Sequence, residues 1–338
     1  MLSKQESKIL KGCSILVMIW LHAFLYKKDV DSLYCFVYLG QNPLVTIIKN
    51  FCGICVFLYL FLGGYGLYIT HTNKNLHCFR RVFTLYLNYW IVFVLIIPIG
   101  CILRPDIYPG SPTKIVLNLL AWDYSYNSSW WFLFPYILII LSSSLLFKIL
   151  NIFTGTSIFI LSYTINLMTS FLISRYGEQY LYNNLLLYIP LLYIHLLNAF
   201  YTGAIFAKYD LFKCVKNLVQ NKPFVNWTSI AIIILIILLK GYITTSVINI
   251  FVVCLFFICI YLIDRPIWID KVLYKLGEGS TNMWFVHAFI CIYLLHDFTY
   301  SLKYPILVFL FVIICSFIIH LIINPIFIRC KYVVNKVC

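Results

Sequence analysis

Apolar runs long enough to cross a membrane as helices follow one another through almost the whole chain, and no other feature constrains the fold as much. A helix needs about 20 mainly apolar residues to traverse ~30 Å of hydrocarbon. Ten stretches meet that description, at about residues 11–27, 50–70, 82–103, 130–150, 152–173, 185–207, 227–240, 244–263, 280–296 and 304–323. Little chain is left between them, which excludes a soluble enzyme carrying one anchor. The runs are continuous rather than alternating, which excludes a β-barrel. With 63% hydrophobic and 11% charged residues, the chain lies far from the roughly quarter-charged make-up of soluble domains. The predicted fold is all-α: a polytopic membrane protein, one domain over residues 1–338, about ten transmembrane helices. The seventh stretch is the short one, expected to be tilted or partly re-entrant. The opening MLSKQESKIL and its apolar run have no small-residue cleavage site, so the first span is expected to be retained.

The 25 Lys and Arg against 11 Asp and Glu give a net charge of +14. In a soluble protein that excess would suggest nucleic acid. Here the basic residues gather between spans, as the positive-inside rule and attraction to anionic lipid require. Alternate sides of the ten stretches differ roughly twofold in Lys and Arg. The N-terminal side is the richer and includes Lys74, Arg80, Arg81 and Lys336, so both termini are expected to be cytoplasmic. The 13 cysteines have no zinc or disulfide spacing. Cys52 and Cys55 lie in an apolar run, where thiols behave as small hydrophobes, and no metal site is read. The longest outer segment, about 104–129, is a loop by its Pro105, Pro109, Gly110 and Pro112. The aromatics that follow, Trp122, Tyr124, Tyr126, Trp130 and Trp131, suit an interfacial belt or a platform for sugar rings.

An ionisable group in hydrocarbon is costly unless it has a partner or a function. His22 lies deep in the first span and Lys11 opens it. Eleven residues turn a helix through three revolutions and ~20°, so the two share a face ~16 Å apart along the axis. They cannot bond to each other, but they can contact two parts of one long ligand. A neutral imidazole is a suitable general base for a hydroxyl. It is equally suited to an interhelical hydrogen bond, and Lys11 to snorkelling at the interface.

The stretch Lys11-Gly12-Cys13-Ser14-Ile15-Leu16-Val17-Met18-Ile19-Trp20-Leu21-His22 resembles the signature of the membrane acyltransferase-3 family, a basic residue followed by a short apolar run ending in a functional His. Phe61-Leu62-Gly63-Gly64-Tyr65 resembles its second-span F-x-S-G-[FY] element, with Gly63 where Ser is usual. Trp130-Trp131-Phe132-Leu133 resembles its W-F-L element, and Ser280-Thr281-Asn282-Met283-Trp284-Phe285-Val286-His287 its late S-x-x-[IM]-[YFW]-x-x-H element. The four occur in the family's order, and the ten-span layout agrees with its core over essentially the whole chain.

The resemblance implies an O-acyltransferase of the cell membrane. It would move an acetyl or other acyl group from acyl-coenzyme A to a hydroxyl, commonly on a surface polysaccharide or its lipid-linked precursor. No bound cofactor is implied, since acetyl-coenzyme A is a substrate. His22 and Lys11 become the candidate catalytic residues and Arg80 and Arg81 the candidate acyl-coenzyme A contacts. His287, Ser280, Trp131 and Tyr65 become further pocket residues. The family often enters its third span through R-x-x-R; here Thr84 stands in the second Arg position after Arg80-Arg81-Val82-Phe83. Arg80 can stand in for the missing guanidinium, although both arginines can equally serve topology alone. Ser280 can cap the ninth helix, and His287 lies two turns into it. His195, His296 and His320 have no motif around them and are expected to be structural or interfacial. Any of the outer Asp29, Asp31, Asp106 and Asp123 can orient His22. The alternatives from other classes are a transporter or flippase of lipid-linked saccharides, and a polysaccharide polymerase. Paired halves with broken helices and a large charged outer loop, respectively, are what those would show.

Overall fold

A computed structural model describes residues 1–73, 76–219 and 222–337, with side chains up to residue 333. Lys74 and the side chain of Lys336, both counted above toward topology, lie outside the described residues. The main helices are α1 (Lys4–Ala23), α2 (Leu44–Asn73, broken at Gly53 and Ile54), α3 (Cys78–Leu103), α4 (Leu133–Ile152) and α5 (Gly155–Tyr176). They continue with α6 (Leu185–Lys208), α7 (Val225–Tyr242), α8 (Asn249–Leu262), α9 (Ile267–Ala288) and α10 (Pro305–Val337). The only strands among the described residues are a two-residue antiparallel pair at Tyr38–Leu39 and Asn42–Pro43. The chain is an all-α polytopic membrane protein.

Among the described residues seven helices are long and apolar enough to cross a bilayer: α2, α3, α4 with its preceding turn, α5, α6, α7 and α10. The others, α1, α8 and α9, fall on the three remaining apolar stretches of the sequence. Charges at their starts (Lys4, Glu6, Lys8 and Lys11; Asp270, Lys271, Lys275 and Glu278) set α1 and α9 apart. The expected weak seventh stretch is an ordinary 18-residue helix, α7, and the short element is α8 with 14 residues. Lys11 and Lys331 line one cavity, so the two ends of the described chain lie at the same end of the bundle.

Two helix pairs touch backbone to backbone, and glycine is what lets them. A Cβ at Gly12 would overlap the Leu273 carbonyl, and one at Gly277 the Lys8 carbonyl, so α1 and α9 are in van der Waals contact at their main chains. A Cβ at Gly64 would overlap the Phe200 carbonyl, and one at Gly203 the Phe61 carbonyl, which joins α2 to α6 in the same way. Small residues at such crossings are how helices associate where lipid supplies no hydrophobic drive. Lys8 meets Gly277 and His22 meets His287, so α1 and α9 run in the same direction.

The ninth helix begins much earlier than residue 280. It starts at Ile267 and ends in a single π turn over Phe289–Tyr293. Ser280 is therefore in mid-helix, where its hydroxyl donates to the Gly277 carbonyl at 3.0 Å. It is not an N-cap. His287 lies near the end of this helix rather than two turns from its start. The 104–129 segment is also more ordered than a loop: it holds a helix at Pro112–Leu119, and its aromatics turn inward. Tyr108, Tyr126 and Trp130 are buried, with Trp130 packed against Tyr89 and Phe289. Neither an interfacial belt nor a sugar platform describes Trp130, because the segment folds back over α3 and α9.

Candidate active site

The first and last motif histidines meet. His22 on α1 and His287 on α9 pack edge to face with ring centroids 4.7 Å apart. The close approach of α1 and α9 about three turns below, through Gly12 and Gly277, brings the rings together. His22 Nδ1 lies 3.0 Å from the Met18 carbonyl, four residues back on its own helix. His287 Nδ1 lies 3.0 Å from Met283 O and 2.8 Å from Trp284 O. A carbonyl oxygen only accepts, so each Nδ1 carries the proton and each Nε2 presents a lone pair. His22 is half-buried and His287 fully buried. His287 Nε2 is buried without a hydrogen-bond partner among the described residues. A buried polar atom left unpaired is rare, and it is where function is to be sought.

The third and fourth motifs interlock beside this pair. The helix changes from α to π at Phe289, whose N–H bonds to Val286 and His287 carbonyls. The Phe285 carbonyl instead accepts Trp130 Nε1–H at 3.0 Å and Asn127 Nδ2–H at 3.2 Å. In return Trp284 Nε1–H donates to Ser129 O at 3.0 Å. Two indoles thus clamp the helix segment that carries His287, a π turn being a recurrent device at functional positions. Trp131, the neighbouring motif residue, is half-buried and packs on Phe132. Arg104 closes the outer side, forming two hydrogen bonds to Asp106 (2.9 and 2.8 Å) and one to the Tyr293 carbonyl (3.2 Å). Its guanidinium holds the Asp106 carboxyl below the usual carboxylate range.

Among the described residues none of Asp29, Asp31, Asp106 and Asp123 is bonded to His22. Asp29 pairs instead with His296 Nε2 at 3.2 Å, and the Met18 carbonyl performs the orienting task within α1. His195 bonds to Asn166 and Thr169 away from both motif histidines.

A cavity of about 840 Å³ opens at the end of the bundle where α1, α3 and α9 begin. Its walls carry Lys11, Arg80, Arg81 and Lys331. Lys11 forms no ion pair or hydrogen bond among the described residues, and Arg81 Nη2 donates to Thr70 Oγ1 at 3.2 Å. The single carboxylate in the wall, Glu278, is already held by Lys8 at 2.7 Å and Lys275 at 3.1 Å. The cavity wall is therefore net positive, and guanidinium groups suit phosphate through paired hydrogen bonds. Lys11 sits with the arginines rather than with the imidazoles, ~16 Å along α1 from His22.

Gly63 of the second motif is also in the wall, and a Cβ there would lie 3.3 Å from the Tyr136 hydroxyl. Tyr65 is not in the wall: its hydroxyl accepts the Leu2 N–H at 2.7 Å and its ring packs on Phe212. Ser280, bonded within its helix, is outside it too. Three residues that the sequence did not mark as site residues line its deep part: Asn88, Asn282, which lies within the fourth motif, and His320, expected to be structural or interfacial. The signal available for them was a lone polar side chain in an apolar run. His22 and His287 do not border the cavity, which closes at the level of Asn88 and Asn282, ~7 Å short of His287 along α9.

No curated protein and no solved structure matches the chain. A family model described as an acyltransferase domain, that of the acyltransferase-3 family, matches residues 5–325, which takes in all four motifs, the histidine pair and the cavity residues Lys11, Arg80 and Arg81. The chain belongs to the acyltransferase-3 family.

Proposed function

We propose that this membrane acyltransferase takes an acyl group, acetyl by default, from acyl-coenzyme A and transfers it to a hydroxyl of a cell-surface polysaccharide or its lipid-linked precursor in the cell membrane. The observation that carries this reading is the histidine pair, neither Nε2 hydrogen-bonded among the described residues, set beyond a cationic cavity. In this reading the cavity end is cytoplasmic, where acyl-coenzyme A is made. Lys11, Arg80, Arg81 and Lys331 bind its phosphates, and the slender pantetheine arm runs between α1, α3 and α9 toward His22. The packing between Asn282 and His287 opens to admit the thioester.

His22 Nε2 removes the proton of the acceptor hydroxyl as its oxygen attacks the thioester carbonyl. The tetrahedral intermediate collapses with cleavage of the C–S bond, and the departing thiolate takes the proton back from the imidazolium to leave as free coenzyme A. His287, neutral and 4.7 Å away ring to ring, offers its lone pair to the imidazolium Nε2–H and stabilises it while it exists. The same pair also suits a short-lived acyl-His22 intermediate, in which Nε2 attacks the thioester first. The test is turnover of labelled acetyl-coenzyme A by the detergent-purified protein, with mass spectrometry of surface glycans from cells with and without the gene. Thiol release together with gene-dependent acetyl esters supports the reading. Absence of both overturns it.

A further inference from the structure

The deep part of the cavity is neither cationic nor apolar. Asn88 on α3 donates from Nδ2 to Asn282 Oδ1 at 2.5 Å. Asn282 on α9 donates in turn from Nδ2 to His320 Nδ1 on α10 at 3.0 Å. All three side chains are more than nine-tenths buried, and all three line the cavity. The ladder fixes its own polarity. With Asn282 Nδ2 turned to it, His320 Nδ1 accepts; Asn282 Oδ1 and Nδ2 are both engaged, and Asn88 gives one of its two amide N–H groups to Asn282. What remains at the free end is Asn88 Oδ1, an acceptor buried without a partner among the described residues.

The ladder's position matters as much as its chemistry. Asn88 follows Arg80 and Arg81 on α3 by ~10–12 Å, and Asn282 precedes His287 on α9 by ~7 Å. The ladder therefore stands between the phosphate-binding rim and the imidazoles. An unpaired oxygen buried at membrane depth is held there at a cost, and a donor delivered by a ligand removes it. Of the parts of acyl-coenzyme A, the phosphates are acceptors and belong with the cations. The pantetheine arm carries amide N–H donors.

We infer that Asn88 Oδ1 accepts a hydrogen bond from an amide N–H of the pantetheine arm, with Asn282 and His320 holding the Asn88 side chain in register. The inference rests on the donor reading above and adds a binding residue for the arm. It predicts that Asn88 reads the arm and not the phosphates.

The experiment is calorimetric titration of the purified protein with two probes, coenzyme A and adenosine 3′,5′-bisphosphate, the second of which lacks the arm. In Asn88→Ala, coenzyme A should bind about tenfold more weakly, the loss of one buried hydrogen bond. Adenosine 3′,5′-bisphosphate should bind within about twofold of its wild-type affinity. Unchanged coenzyme A affinity, or equal weakening of both probes, overturns the inference while the donor reading stands. Wild-type protein that binds neither probe overturns the donor reading itself. A ligand-side measurement covers a variant that fails to fold. A coenzyme A analogue with its pantetheine amides replaced by esters should bind wild type about tenfold more weakly than coenzyme A, and equal affinity contradicts the assignment.

Discussion

His22 and His287 are imidazoles packed 4.7 Å apart, each locked by an Nδ1–H bond to a carbonyl of its own helix, with neither Nε2 hydrogen-bonded among the described residues. The pair joins α1 to α9, and its geometry depends on neither ring reaching a carboxylate.

His287→Leu should lower the rate of acyl transfer about tenfold or more while leaving coenzyme A affinity close to wild type. The variant removes a lone pair from beside the imidazolium without touching the cationic rim. Steady-state transfer and equilibrium binding, measured on the same preparation, separate the two. A change in binding alone would make His287 a packing residue.

Arg81→Ala should raise the KM for acetyl-coenzyme A and leave kcat less affected. A charge-assisted hydrogen bond to phosphate is worth about 1.5–3 kcal/mol, or roughly 10- to 100-fold in affinity. The effect should shrink at high salt as the phosphate–guanidinium attraction is screened. An effect confined to the acceptor would move the donor site elsewhere.

Gly12→Val should destabilise the protein by about 1–3 kcal/mol or more, since the added carbons meet the Leu273 backbone, which cannot step aside. Gly66→Ala on α2, where a Cβ meets nothing within 4 Å, should be neutral or slightly stabilising through helix propensity. Thermal unfolding in detergent compares the two. Equal melting temperatures would mean that α1 and α9 are not in backbone contact. Because the same contact brings His22 to His287, Gly12→Val should also cost activity in whatever fraction folds.

Much of the fold and part of the site were legible in the sequence. Apolar runs announced the helices, and Lys11, His22 and His287 stood out because charge and imidazole are conspicuous among Leu, Ile and Phe. The start of α9 was not legible, because its first three turns carry Asp270, Lys271, Lys275 and Glu278 and read as a loop. Lys8 and Lys275 neutralise Glu278 there, and Gly277 seats the turn against α1. The buried position of Trp130 was equally hidden. Its indole donates to the Phe285 carbonyl just before the π turn, and no local periodicity encodes that contact. Asn88, Asn282 and His320 come from three helices far apart in sequence, and only packing makes them one ladder. Asn282 even lies inside a recognised motif, yet an amide carries no charge to draw attention.

The most direct measurement is acetyl transfer from labelled acetyl-coenzyme A by wild type and His22→Ala, read alongside coenzyme A binding. With the general base removed, the rate should fall by about 10²–10⁴ while binding at the cationic cavity persists. Activity retained within a few-fold would contradict the assignment and take the histidine pair out of the chemistry.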